Sequence, residues 1–92
     1  MSVGVIIVSY RTGAVLAECL SALADVSGVS EIILVDNGND AAETQALGAF
    51  VAAHAQARLL RGQGNVGFSR AGNLAAAQAK SDLLIFANPD VV

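Results

Sequence analysis

The strongest constraint on the fold of this chain is a run of five apolar residues, Leu83–Ala87, which stops at Asn88-Pro89-Asp90. An apolar run bounded by turn residues is typical of a buried strand in a parallel sheet. Pro89 has no backbone N–H to donate and biases Asn88 towards an extended conformation, so the strand is predicted to end there. Ligands of open α/β sheets bind beyond the carboxyl ends of the strands, which makes Asp90 a candidate site residue.

Three further strands and three helices are predicted before this run. The strands are β-branched or apolar segments at Val3–Val8, Glu31–Val35 and Ala57–Arg61. The helices begin near Thr12, a candidate N-cap, near Asp40, which forms a capping-box pattern with Glu43, and near Phe68. Right-handed crossovers turn this β-α-β-α-β-α-β order into a doubly wound parallel α/β sheet with helices on both faces.

Apolar spacing predicts which side of each helix packs on the sheet. The predicted inward positions are Val15, Leu16, Cys19, Leu20 and Leu23 in the first helix, Leu47, Phe50 and Val51 in the second, and Leu74 and Ala75 in the third. Cys19 lies inside its apolar stripe and is interpreted as a small core residue. His54, the only histidine, is interpreted as a structural residue or one with its ring tip in solvent, near the end of the second helix.

Composition excludes several classes of protein. Hydrophobic residues make up 54% and charged residues 14% of the 92, which suits a sheet covered on both faces. The net charge is −3 and the five basic residues are dispersed, so no nucleic-acid partner is expected. A single cysteine excludes an internal disulfide. No apolar stretch approaches the ~18 residues of a membrane span, and no basic leader is present. We therefore expect this protein to be located in the cytoplasm or, as part of a longer protein, at the cytoplasmic face of a membrane.

Polar groups follow all four predicted strands. They are Ser9-Tyr10, Asp36, the glycine-rich segment Gly62–Gly67, and Asn88 with Asp90. Parallel strands bring their carboxyl ends to the same edge of the sheet, so the fold should bring these groups together. Each of them has an ordinary structural interpretation, as a capped turn or a helix N-cap, and it is their convergence that indicates a ligand site.

The segment Gly62–Gly67 also fits a different class of protein. Its G-x-G-x-x-G pattern follows a strand, precedes a helix and has acidic Asp90 about twenty residues on, as in a dinucleotide-binding fingerprint for NAD or FAD. The preceding strand, however, is short and ends in Arg61, and two complete βα units come before it. An NAD- or FAD-binding oxidoreductase module therefore stays an alternative hypothesis for the function, and a non-catalytic nucleotide-binding domain is a further one.

Four segments, in this order and spacing, resemble family 2 glycosyltransferases, which are inverting enzymes of the GT-A fold. They are Val5-Ile6-Ile7-Val8-Ser9-Tyr10, Ile32-Ile33-Leu34-Val35-Asp36-Asn37-Gly38, Asn65-Val66-Gly67-Phe68 with Asn73, and Leu84-Ile85-Phe86-Ala87-Asn88-Pro89-Asp90. The Asn-Pro-Asp segment looks most like rhamnosyl- and galactofuranosyl-type transferases. The resemblance implies a partial GT-A fold with strand order 3-2-1-4, in which residues 1–92 form the N-terminal, nucleotide-sugar-binding portion.

The resemblance also implies roles for residues at the nucleotide. Ser9 and Tyr10 match a segment that lies against the nucleotide. Asp36 matches the acid that accepts from the imide N–H of the base, which a carboxylate does well for uracil or thymine and so implies a UDP- or dTDP-linked sugar. Asn65, Gly67 and Phe68 match the segment that opens the third helix beside the nucleotide.

The resemblance assigns the last site to a metal. Asn88 and Asp90 match the outer positions of the family's Asp-x-Asp motif, with Asp90 as the direct ligand of Mg²⁺ or Mn²⁺ and Asn88 either as a neutral oxygen ligand or as a group that contacts the ligands from outside. The metal neutralises the leaving diphosphate while a carboxylate base deprotonates the acceptor hydroxyl. In the family that base comes well after the metal motif, so we expect no catalytic residue within residues 1–92 and no turnover by this chain alone. With Leu83–Ala87 left as an unprotected edge, a homodimer of the chain is expected.

Overall fold

A computed structural model describes residues 2–9, 15–25, 28–36, 38, 41–61 and 68–87. The strands are β1 (Val3–Ser9), β2 (Glu31–Asp36), β3 (Ala57–Leu60) and β4 (Leu83–Ala87). The helices are α1 (Val15–Ala24), α2 (Ala41–Ala53) and α3 (Phe68–Gln78). The predicted order of elements is confirmed, and most boundaries lie within one or two residues of the predicted ones. Thr12 and Asp40, the predicted helix caps, lie outside the described residues.

The four strands form one parallel sheet in the order β3-β2-β1-β4, as predicted. In the register of β1 with β2, Gly4 is opposite Glu31 at one end and Ser9 is opposite Asp36 at the other. The sheet therefore has an amino edge, where the strands begin, and a carboxyl edge, where they end. The two edges carry different polar groups.

Two hydrophobic cores lie on opposite faces of the sheet. On one face, α1 and α2 contribute Leu16, Leu20, Leu47 and Phe50 to a core with Val5, Ile7, Ile32 and Leu34. On the other face, Ala71 and Ala75 of α3 pack on Ile6, Val8, Ile33 and Val35. Successive strand residues point to opposite faces, so the central strands must be apolar throughout to supply both cores.

The helix faces agree with the predicted positions except at Leu74; Val15, also predicted to face inward, has a side chain outside the described part of the structure. Cys19 and Leu23 are partly buried against the first core, as expected, and burial raises the pKa of the Cys19 thiol. His54 stacks on Phe50 with ring centroids 4.1 Å apart, and its Nδ1 lies 2.9 Å from the Phe50 carbonyl oxygen. Leu74, by contrast, is 42% exposed, so its predicted inward position is wrong. The buried stripe of α3 consists of Ala71 and Ala75, one helical turn apart, and Leu74 lies beside that stripe rather than on it.

β4 differs from the buried strand that its sequence predicts. Leu83 and Ile85 are each 47% exposed and Phe86 is 51% exposed. The strand pairs with β1 along one side and stands last in the sheet. It therefore has the apolar composition of an interior strand in the position of an edge strand.

Glu31 is the centre of a polar network at the amino edge. Arg58 Nη2 of β3 donates to Glu31 Oε1 at 2.6 Å, and also to the carbonyl oxygen of Gln78, the last residue of α3, at 3.2 Å. The backbone N–H groups of Lys80 and Ser81 donate to Glu31 Oε2 at 2.8 and 2.6 Å, and the Ser81 hydroxyl donates to the same oxygen. One carboxylate thus ties β2 to β3 and to the connection between α3 and β4.

Gly4 makes room for this network. A Cβ atom at position 4 would lie 2.8 Å from Ser81 Oγ, 2.9 Å from Glu31 Cγ and 3.0 Å from Leu84 Cδ2. Real Cβ atoms do not approach other atoms so closely, so only glycine fits between Glu31 and Ser81. The single glycine in the apolar strand β1 is explained by this close approach.

None of the described helices is long and apolar enough to cross a membrane.

Candidate functional site

Two of the predicted site residues, Ser9 and Asp36, come together at the carboxyl edge. They are the last residues of β1 and β2, and they are opposite one another in the parallel register. Both follow the alternation of their strands onto the face that α1 and α2 cover. Ser9 is fully buried and Asp36 is partly exposed, so Asp36 presents the more accessible polar group of the two.

The carboxylate of Asp36 is held at both of its oxygen atoms. The backbone N–H of Gly38 donates to Oδ1 at 3.2 Å, which closes a short turn after β2. The hydroxyl of Thr44, in the first turn of α2, donates to Oδ2 at 3.0 Å. The strand, the turn that follows it and the next helix therefore all fix the direction of one carboxylate.

Gly38 can serve this turn because of its backbone conformation. Its φ angle is +118°, a value that favours glycine over residues with a side chain. Asn-Gly pairs are typical of turns, and the positive φ of Gly38 explains the glycine at this position. A change of backbone here would move the N–H group that contacts Asp36.

The remaining predicted site residues lie outside the described part of the structure. They are Tyr10, Asn65, Gly67, Asn88 and Asp90. Phe68 is the first residue of α3, and its side chain is also not described. Among the described residues, no group of three His, Cys, Asp or Glu side chains could hold a metal ion. The glycine-rich pattern Gly62–Gly67 and the metal pair therefore stay predictions.

The element order and strand order narrow the fold but not the family, since a dinucleotide-binding domain begins with the same 3-2-1-4 sheet. The deciding observation is a match of the family model for Glycosyl transferase family 2 to residues 4–92, nearly the whole chain. The chain belongs to glycosyl transferase family 2. No curated protein gives a significant sequence match.

Solved structures share the fold of this family 2 chain. It superposes on S. aureus TarS with a TM-score of 0.83 at 21% identity, covering 98% of this chain and 17% of that one. S. aureus TarS 1-349 in complex with UDP-GlcNAc gives a TM-score of 0.84 at 21% identity, with 98% and 27% covered. The mannosyltransferase PcManGT from Pyrobaculum calidifontis, in complex with GDP-Man and Mn²⁺, gives 0.83 at 19% identity, with 96% and 27% covered. The chain thus spans less than a third of each of these solved chains.

Thr44 is the site residue that sequence reasoning missed. It lies eight residues after Asp36, in the first turn of α2, and belongs to none of the motifs singled out in the sequence. A signal was present, because a helix that starts soon after a strand-end acid brings its first turn back towards that acid. A hydroxyl residue in that turn is then within reach of the carboxylate.

Proposed function

We propose that this chain is the donor-binding part of a metal-dependent, inverting glycosyltransferase. In this proposal residues 1–92 bind a nucleoside-diphosphate sugar at the carboxyl edge of the sheet. The observation that carries it is the partly exposed Asp36 carboxylate, held at both oxygens at the end of a central strand of a family 2 fold. Ligands of open α/β sheets bind at this edge.

The proposed role of Asp36 is to accept a hydrogen bond from the nucleobase. An ionised carboxylate is a hydrogen-bond acceptor only, and the Asp36 side chain is partly exposed, so a donor on a ligand can approach it. Uracil and thymine offer an imide N–H, which favours a UDP- or dTDP-linked sugar. Ser9, Tyr10, Asn65, Gly67 and Phe68 are proposed to line the rest of the nucleotide site. Solved relatives of the fold are described in complex with UDP, UDP-GlcNAc and GDP-Man, which supports a nucleotide-sugar ligand.

Asn88 and Asp90 are the proposed metal-binding residues. They follow directly after β4, whose last residue, Ala87, pairs with Ile7 in the centre of the sheet. One carboxylate and one amide oxygen are ligands that Mg²⁺ and Mn²⁺ both accept, and such sites are commonly completed by substrate phosphates and water. A bound divalent ion would neutralise negative charge on the leaving diphosphate.

The proposed transfer also requires a base that deprotonates the acceptor hydroxyl. Neither Asp36, which is assigned to the nucleobase, nor Asp90, which is assigned to the metal, can serve as that base in this scheme. We therefore propose donor binding as the activity of residues 1–92, without turnover.

Ligand protection against thermal unfolding tests the proposed function. Addition of UDP with Mn²⁺ is expected to raise the melting temperature of the chain, since a ligand that binds only the folded state stabilises it. NAD and FAD serve as the comparison, because they are the ligands of the alternative module. Protection by NAD or FAD but not by UDP with Mn²⁺ would replace the transferase proposal with the oxidoreductase one.

We also propose that the 92-residue chain forms a homodimer through β4. The strand carries no charge between Leu83 and Ala87, and it exposes apolar side chains on both faces of the sheet. An exposed apolar edge of this kind is normally protected by charge, proline or a bulge. A second copy of β4 would pair with the backbone N–H and C=O groups of this edge and cover its apolar side chains.

The sequence of β4 is suited to antiparallel pairing with itself. A two-fold axis at Ile85 places Leu84 opposite Phe86 of the second copy, and Leu83 opposite Ala87. Apolar side chains then meet apolar side chains on both faces, and no like charges are brought together. The result is an isologous interface and a sheet of twice the width.

A further inference from the structure

The contact between Thr44 and Asp36 has a role beyond the stability of α2. We propose that Thr44 is a positioning residue for nucleobase recognition, which fixes the plane of the Asp36 carboxylate so that it selects a base with an imide N–H. The inference rests on the proposed function of Asp36. It adds a second residue to the specificity of the site and names the class of ligand that the pair selects, a uracil- or thymine-type nucleotide over a cytosine-type one.

The hydrogen bond from Thr44 restrains the side-chain torsion that sets the plane of the Asp36 carboxylate, which the strand alone does not fix. Rotation of a carboxylate about its last bond is broad and roughly two-fold, so a strand-end aspartate has no strongly preferred plane of its own. Donors at 3.2 Å on Oδ1 and 3.0 Å on Oδ2 remove that freedom, because they come from different elements. Gly38 belongs to the turn after β2, whereas Thr44 is anchored in α2.

Thr44 is a stiff donor. Its β-branched side chain has few rotamers in a helix, so the hydroxyl has a defined direction relative to α2. The helix itself is fixed on the sheet by Leu47 and Phe50, which are both buried in the first core. Core packing thus fixes the position of the Thr44 hydroxyl, and the hydrogen bond from this hydroxyl orients the Asp36 carboxylate.

A fixed carboxylate plane matters for discrimination between bases. Uracil and thymine present an N–H at the ring position where cytosine presents a lone pair, so a carboxylate aimed at that position attracts the first two and repels the third. A carboxylate that is held less firmly can turn further away from the lone pair and so loses part of that contrast. Loss of the Thr44 bond should therefore reduce the preference for UDP over CDP in a chain that still folds.

Calorimetric titration of the purified chain with UDP and with CDP, each with Mn²⁺, is the test. Thr44→Val retains the shape of the side chain but not the hydroxyl, and is expected to lower the ratio of UDP to CDP affinity about five- to tenfold, the effect of one ordinary hydrogen bond. Thr44→Ser retains the hydroxyl and is expected to restore most of the wild-type ratio. Gln45→Ala, at the exposed neighbouring position of α2, is the matched control and is expected to leave the ratio unchanged.

The outcomes separate this inference from the proposed function. Absence of UDP binding by the wild-type chain, or no preference over CDP, contradicts the role of Asp36 itself. A wild-type preference that Asp36→Asn abolishes but Thr44→Val leaves intact overturns the role of Thr44 alone. If Thr44→Val does not fold, Thr44→Ala takes its place, and an unchanged ratio in that variant overturns the inference equally.

Discussion

Arg58 Nη2 donates to Glu31 Oε1 at 2.6 Å, and this contact joins β3 to β2 at the edge of the sheet opposite Asp36. Glu31 and Asp36 are the first and last residues of the same six-residue strand. The first carboxylate accepts from Arg58, Lys80 and Ser81 and is buried, whereas the second accepts from Gly38 and Thr44 and is partly exposed. The stabilising network thus lies at the first end of β2, and the proposed ligand site lies at its last end.

The Glu31 network predicts how stability depends on pH. The hydrogen bond from the Ser81 hydroxyl is the largest cause that lowers the pKa of Glu31, and the backbone N–H groups of Lys80 and Ser81 and the charge of Arg58 act in the same direction, against the effect of burial. A carboxylate whose pKa is lower in the folded state contributes stability above its unfolded pKa, about 4.3, and loses that contribution as the pH falls through the folded value.

Urea unfolding of Glu31→Gln at several pH values checks this prediction. At pH 7 the variant should lose about 1–3 kcal/mol of unfolding free energy, because a neutral amide replaces a charged acceptor of several hydrogen bonds. The difference from wild type should shrink as the pH falls below about 4. Glu18→Gln, at an exposed position of α1, should change the free energy by less than about 0.5 kcal/mol. A difference for Glu31→Gln that is constant with pH would contradict the account of the network.

Two glycine-to-alanine substitutions should have opposite signs. Gly4→Ala places a Cβ 2.8 Å from Ser81 Oγ and 2.9 Å from Glu31 Cγ, and is expected to cost roughly 1–3 kcal/mol of stability through overpacking. Gly48→Ala, inside α2, meets no atom within 4 Å and is expected to stabilise the chain by about 0.5–1 kcal/mol. Chemical unfolding of both variants is the measurement. A neutral or stabilising Gly4→Ala would show that Glu31 and Ser81 do not approach β1 as closely as described.

A single charge at the centre of β4 should abolish the proposed homodimer. Ile85→Lys puts a charged side chain on the two-fold axis, where it meets its own copy, and a charged edge resists pairing. The wild-type chain is expected to sediment as a dimer across a concentration series and the variant as a monomer. Ala52→Lys adds the same charge at an exposed position of α2 and should leave the dimer intact. A wild-type chain that stays monomeric throughout the series contradicts the proposed dimer.

The sheet could be predicted from the sequence because its signals are local. Apolar β-branched runs mark β1 and β2, and Asn37-Gly38 and Asn88-Pro89 mark where strands end. The right-handed crossover rule then fixes on which face each helix packs.

The polar network could not be predicted because its partners are distant in sequence. Glu31 lies 27 residues from Arg58 and 50 from Ser81, and only the register of the sheet brings them together. The inward position predicted for Leu74 was wrong for a different reason, because the Ala-rich sequence of α3 gives little contrast between its faces. At the site, Asp36 could be found from its position at a strand end, whereas the sequence only makes Thr44 a candidate, because its contact with Asp36 depends on where the first turn of α2 lies relative to the end of β2.

We propose that Asp36 and Asp90 bind opposite ends of one nucleoside diphosphate, Asp36 at the base and Asp90, through a metal ion, at the diphosphate. Calorimetry with uridine and with UDP, each with and without Mn²⁺, tests it most directly on the wild-type chain, Asp36→Ala and Asp90→Ala. Asp25→Asn, which removes one negative charge at an exposed position after α1, is the control. We predict that Asp36→Ala weakens uridine and UDP alike, by at least about tenfold, because both ligands carry the base. We predict that Asp90→Ala weakens only the Mn²⁺-dependent part of UDP binding. Equal losses for Asp90→Ala with and without Mn²⁺, or unchanged uridine binding by Asp36→Ala, would contradict the account.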